Sequence, residues 1–85
     1  MQMFQELLSR IRWDEDFAKA EFAIGYYDRV ADRVIVVPFI ELSFPVDHQL
    51  FFELLDSHGE VRRIPFHRVR EIHRNGHCIW RRQVH

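Results

Sequence analysis

From Met3 the apolar positions fall at Phe4, Leu7, Leu8 and Ile11, the i, i+3, i+4, i+7 stripe of an amphipathic helix, with Glu6 and Arg10 as an i,i+4 pair on its wet side. Such a helix lays its stripe on a sheet. Trp13-Asp14 ends it; Trp13 is expected in the core with other large aromatics, and Asp14 is placed to cap the short turn through Glu15 and Asp16 to Phe17.

The pattern then changes period. Phe22, Ile24 and Tyr26 alternate with Ala23, Gly25 and Tyr27, which predicts a strand with one bulky face and one partly small face. After the polar break 28–32, the run from Arg33 to Val37 is apolar on both alternating sets and reads as a strand covered on both faces or central in its sheet. Pro38 stops it. Residues 39–44 are ambiguous between a helical turn and an extended segment, and 45–48 read as a loop. Leu50 to Leu55 and Glu60 to Ile64 form two strands about a hairpin loop at Ser57-His58-Gly59. Pro65 then removes a backbone donor and bends the chain where Phe66, His67 and Arg68 begin.

Asn75-Gly76 suits a two-residue type I′ turn, which needs positive φ at both positions. Strict pairing about it sets Arg74 against His77, His73 against Cys78, Ile72 against Ile79 and Glu71 against Trp80. Period two puts Ile72 and Ile79 on one side of the sheet and Trp80 on the other. The predicted fold is α+β: one domain over residues 1–85, its N-terminal helix packed on a mostly antiparallel sheet of about five strands.

Composition narrows the function. An N-terminus with Glu6, Arg10 and Arg12 among its apolar residues holds neither a signal-peptide core nor a membrane span, so a cytoplasmic protein with no membrane partner is expected. Cys78 is the single cysteine, which excludes an intrachain disulfide and a CxxC motif. The net charge of −1 conceals a segregation: residues 1–56 carry five basic and eleven acidic side chains, net −6, and residues 57–85 carry seven arginines against Glu60 and Glu71, net +5. Lys19 is the only lysine beside eleven arginines, and arginine suits bidentate phosphate contacts and stacking on flat rings.

Four motifs in order carry a family likeness: Arg12-Trp13-Asp14; Ile24-Gly25-Tyr26-Tyr27-Asp28-Arg29; Ile64-Pro65-Phe66-His67-Arg68-Val69; and Ile79-Trp80-Arg81. Together they make nearly the whole chain resemble the RNA cyclic group end recognition domain family, formerly a domain of unknown function. The resemblance implies a domain that recognises RNA ends bearing a 2′,3′-cyclic phosphate, in RNA processing or repair.

That ligand is a monoanion beside a terminal base, so its pocket needs donors for the anion and a flat surface for the base. The candidates are Arg29, His67, Arg68 and Arg81 for the phosphate and Tyr26 or Trp80 for stacking. The bland alternatives are a core Tyr26, an Asp28–Arg29 ion pair at a strand end, and a His67 that bonds a backbone carbonyl. No catalytic residue and no cofactor is expected. The six histidines lack the His-x-Thr/Ser motif of two-histidine phosphoesterases, although a ribonuclease-like pair of His67 with His73 or His77 would suit a cyclic-phosphate hydrolase. His73 and Cys78 should face each other about 5 Å apart at their β-carbons, but two ligands fall short of the four of a structural zinc, so no metal is expected. Two readings outside end recognition are a general basic nucleic-acid binder and a protein-interaction module or homodimer that buries the strand Leu50 to Leu55.

Overall fold

A computed structural model describes residues 3–45 and 50–83. Helix α1 (Phe4–Trp13) forms where the stripe predicts it, and Phe4, Leu7, Leu8 and Ile11 are all buried. Asp14 fixes its exit: Oδ1 accepts hydrogen bonds from the amides of Asp16 and Phe17 at 3.1 and 3.2 Å, leading into a 3-10 turn at Phe17–Lys19. Trp13 does not enter the core. It is 72% exposed, because it lies two residues, or about 200° of helix rotation, beyond the inward-facing Ile11.

Six strands follow: β1 (Phe22–Asp28), β2 (Arg33–Pro38), β3 (Phe51–Leu55), β4 (Val61–Pro65), β5 (Val69–Arg74) and β6 (His77–Arg81). They divide into an antiparallel four-stranded sheet, ordered β2-β1-β5-β6, and an antiparallel β3-β4 hairpin. The alternation of β1 is as expected, with Phe22, Ile24 and Tyr26 buried. Ile24 and Tyr26 pair across the sheet with Val37 and Ile35 of β2 and with Ile72 and Val69 of β5, and Phe22 pairs with Arg74.

The doubly apolar β2 is an edge strand, contrary to its composition. It has one neighbour, and Val34 and Val36 are 40% and 51% exposed. Only Ile35 and Val37 pack against the core. The reason is topological: α1 and the β3-β4 hairpin both cover the inner face of the large sheet, and among the described residues no element covers the outer one.

The inner face is held by aromatic contacts. Phe52 of β3 is fully buried, its ring 6.2 Å from those of Tyr26 and Phe66, and Phe4 of α1 stands 5.3 Å from Phe66. Burying each such side chain contributes about 1.5–3 kcal/mol. β3 therefore finds its cover within the chain: Phe52 faces the core and Leu54 packs against it. Leu50 and Leu55 at the two ends of that stretch remain 78% and 67% exposed. The ambiguous segment resolves into a 3-10 turn, Phe39–Glu41, followed by a bridge in which Ser43 and Glu53 exchange two backbone hydrogen bonds of 2.8 Å. Of the loop expected at 45–48, residues 46–48 lie outside the described residues.

The last hairpin corrects the pairing drawn from its turn. Asn75 and Gly76 adopt φ of 50° and 83°, as a type I′ turn requires, and Arg74–His77 and His73–Cys78 pair as expected. The register then shifts, so that Ile72 faces Trp80 and Glu71 faces Arg81. Ile79 is the extra residue of a β-bulge, which returns the alternation one position late. Trp80 therefore shares the inner face with Ile72, half-buried with its ring 5.2 Å from Phe4, and Ile79 is 42% exposed.

Candidate nucleic-acid interface at the basic end of the sheet

Antiparallel pairing brings three chain segments to one end of the four-stranded sheet: the end of β1 with the turn after it, the start of β5 with the 3-10 turn Phe66–Arg68 before it, and the end of β6. Arg29, Arg68, Arg70, Arg81 and Arg82 are carried there, with His67. Pro65 closes β4 opposite Phe51, the Phe66 amide adds a last bond to Leu50 O at 2.9 Å, and the turn begins there.

Two arginines wrap this turn. Arg70 Nη1 donates to the His67 carbonyl at 2.8 Å, and Arg82 donates through Nε to Val69 O at 2.9 Å and through Nη2 to Phe66 O at 3.3 Å. The Arg82 amide also bonds Arg70 O at 2.8 Å. Burial, and then the charge of Arg70, pull the Arg82 guanidinium below its ordinary pKa. Like charges are held together here with no carboxylate paired to either among the described residues. Each guanidinium has five N–H donors in a fixed fork, so the carbonyl contacts leave donors of both free for an anion. Carbonyl capping alone is a structural task, and it accounts for only part of that capacity.

Nearby acids are already engaged. Asp28 is 5% exposed; its Oδ1 accepts from the amides of Val30 and Ala31 at 2.8 and 3.1 Å, and Arg62 of β4 reaches Oδ2 at 3.2 Å. These bonds, that of Ala31 foremost, hold the Asp28 carboxyl below the usual carboxylate range against the opposing effect of burial. The partner of Asp28 is thus Arg62 rather than Arg29, which corrects the strand-end ion pair considered from sequence and leaves Arg29 exposed. Arg81, expected on the phosphate, is paired with Glu71 at 3.1 Å. Arg68 is half-buried, and its Nε is buried without a hydrogen-bond partner. His67 is exposed.

The aromatic candidates are placed differently from the cations. Tyr26 is 3% exposed, under Phe52, and offers no ring face to a base. Burial is the main cause of its raised hydroxyl pKa. Trp80 already carries Phe4 on its ring and Arg82 5.2 Å from its centroid. The accessible ring is that of Tyr27, one residue on and on the outer face. The Arg70 guanidinium stands 5.7 Å from its centroid, and its hydroxyl donates to Asp32 Oδ1. That hydrogen bond raises the hydroxyl pKa most, with burial and the charge of Asp32 acting the same way, while Arg29 and Arg70 pull it down. Tyr27, Arg29 and Arg70 are neighbours. Tyr27, Arg70 and Arg82 were not among the candidates drawn from the sequence; the available signal for Tyr27 was the small face of β1, which leaves it beside Ala23 and Gly25.

A cavity of about 750 Å³ lies at the other end of the sheet, lined by Ile11, Phe22, Pro38, Phe39 and Ile40 among others and by no arginine or lysine. Without a guanidinium or ammonium in its lining, it offers an anion little.

The sequence model described as the MJ1316 RNA cyclic group end recognition domain matches residues 1–82. The chain belongs to this family. No curated protein and no solved structure matches it. The family match spans every element described above, from α1 to Arg82, so the arginine-wrapped turn and the sheet end are parts of the RNA cyclic group end recognition domain itself. The name of this domain indicates RNA with a cyclic group at its end as the partner. Among the described residues no helix is long and apolar enough to cross a membrane.

Proposed function

We propose that this RNA cyclic group end recognition domain binds the 2′,3′-cyclic phosphate terminus of an RNA at the basic end of its four-stranded sheet, and does so without catalysis. One observation carries the reading. Arg29, Arg68, Arg70 and Arg82 gather there without a carboxylate partner among the described residues, while Asp28, Asp32 and Glu71 are taken by Arg62, by Tyr27, and by Arg81 with His73. An unneutralised guanidinium cluster is a ready anion site. Arg29, Arg70 and Arg82 supply the forks, His67 and Arg68 flank them, and Tyr27 takes the stacking role that the burial of Tyr26 and the packing of Trp80 vacate.

A binding role also agrees with the histidines. His67 lies in the turn before β5, and His73 lies four residues, about 13 Å, past the first residue of that strand, a placement that does not favour an acid and a base sharing one phosphate. The test is one short RNA prepared with cyclic-phosphate, linear-phosphate and hydroxyl 3′ ends, its affinity measured at fixed salt. Preference for the cyclic end, lost in Arg70→Ala, is expected. Equal affinity for all three ends would reduce the protein to a general basic binder.

A further inference from the structure

The outer face of the sheet holds a second constellation, away from the arginine-wrapped turn. Glu71 and His73 are two residues apart on β5, and Cys78 is the direct cross-strand partner of His73 on β6. Their donor atoms all lie within 4.8 Å of one another. We propose that Glu71 Oε1, His73 Nε2 and Cys78 Sγ form a three-ligand zinc site whose fourth position is held by water.

Three features carry this. The first is donor chemistry: thiolate, imidazole and carboxylate are the ligand types of zinc, and three protein ligands with one open position is the pattern of its accessible sites. Only His73 and Cys78 were paired from the sequence. Glu71 shares their face because it lies two residues from His73 on β5, and the shift at Ile79 sets Arg81 opposite it. The second feature is fit. Metal-to-ligand distances of about 2.0–2.3 Å in a tetrahedron put ligand atoms roughly 3–4 Å apart, so 4.8 Å closes with small side-chain rotations. Glu71 Oε1 and His73 Nε2 are already 3.2 Å apart, sharing a hydrogen that the metal would replace. Cys78 is exposed and outside any disulfide, its thiol donating to Trp80 O at 3.3 Å, a bond given up when the thiolate binds the metal.

The third feature is support around the ligands. Arg81 holds Glu71 Oε2 at 3.1 Å and leaves Oε1 for the metal, which is how a ligating carboxylate is oriented by its outer partner. Gly25 of β1 makes the space: a β-carbon there would stand 3.2 Å from Glu71 Oε1 and 3.0 Å from Val34 Cγ1. Binding displaces the Cys78 thiol proton, so affinity rises with pH.

The experiment is a cobalt(II) titration of the full chain, followed by visible absorption and by displacement with zinc. A tetrahedral spectrum with a thiolate-to-cobalt charge-transfer band, saturating at one equivalent, is expected. Cys78→Ser should abolish that band, and His73→Ala and Glu71→Gln should each weaken binding by roughly tenfold or more. His77→Ala, one position away on β6, should leave the spectrum unchanged. Zinc should also raise the melting temperature of the parent chain and not that of Cys78→Ser, with circular dichroism showing that the variant folds. Absence of a thiolate band, or equal binding by the parent chain and Cys78→Ser, would overturn the site.

Discussion

The two ends of the four-stranded sheet differ in how their side chains are spent. At the apolar end the chain leaves a cavity of about 750 Å³ lined by Phe22, Pro38, Phe39 and their neighbours, a volume within the range of small-molecule sites. At the basic end there is a surplus of unneutralised cations, among the described residues, around a turn whose carbonyls they hold. Volume alone would place a ligand at the first end, and electrostatics places an anion at the second. For the proposed RNA terminus the cation surplus favours the basic end, because phosphate contacts supply a large share of nucleic-acid affinity.

The largest expected effect tests whether the two ends share one support. Phe52 is fully buried between Tyr26 and Phe66, so Phe52→Ala should cost about 3–5 kcal/mol in chemical denaturation. Retention of full stability would mean that the β3-β4 hairpin does not underpin the basic end. Next, Arg70→Ala should weaken binding of a cyclic-phosphate RNA by about 1.5–3 kcal/mol, the worth of a hydrogen bond to a charged group. Ile40→Ser at the apolar end, at a side chain 92% exposed, should change affinity very little. The reverse outcome would exchange the roles of the two ends.

Stacking gives a finer division. Tyr27→Ala should lose roughly 1–3 kcal/mol of RNA binding, while Tyr27→Phe, which removes only the hydroxyl bonded to Asp32, should retain it. Equal loss in both would assign Tyr27 to turn geometry instead. The smallest effect is on acid stability. The carboxyls of Asp28 and Asp56 are held below the ordinary 3.8, chiefly by the amides of Ala31 and Glu60 respectively. Their stabilisation is therefore present above that value and lost as the pH falls through the lower folded one. Asp28→Asn should flatten the stability curve of the basic end below about pH 4, measured by thermal melts across that range.

Local pattern made much of this fold legible. The stripe of α1, the alternation of β1 and the Asn75-Gly76 turn are each encoded within a few residues, and each forms as the side chains dictate. The errors arose where one segment depends on another. Val34 and Val36 look like covered residues, but whether cover arrives is decided by where α1 and β3-β4 pack. Period two cannot announce a bulge, and nothing in the side chains of Cys78 or Ile79 marks one. That single inserted residue moved Trp80 to the inner face and Arg81 onto Glu71. Candidate cations were legible from charge segregation and the Pro65-Phe66-His67-Arg68 motif, whereas the pairing of Asp28 with Arg62, which leaves Arg29 unpaired, joins residues 34 positions apart.

The most direct measurement is a titration of the isotopically labelled protein with a nucleoside 2′,3′-cyclic monophosphate, followed by amide chemical shifts. Saturable shifts concentrated at residues 27–29, 67–70 and 82 are the expected result, reduced in Arg70→Ala. Shifts confined to residues 20–23 and 39–40, beside the apolar cavity, would contradict the account.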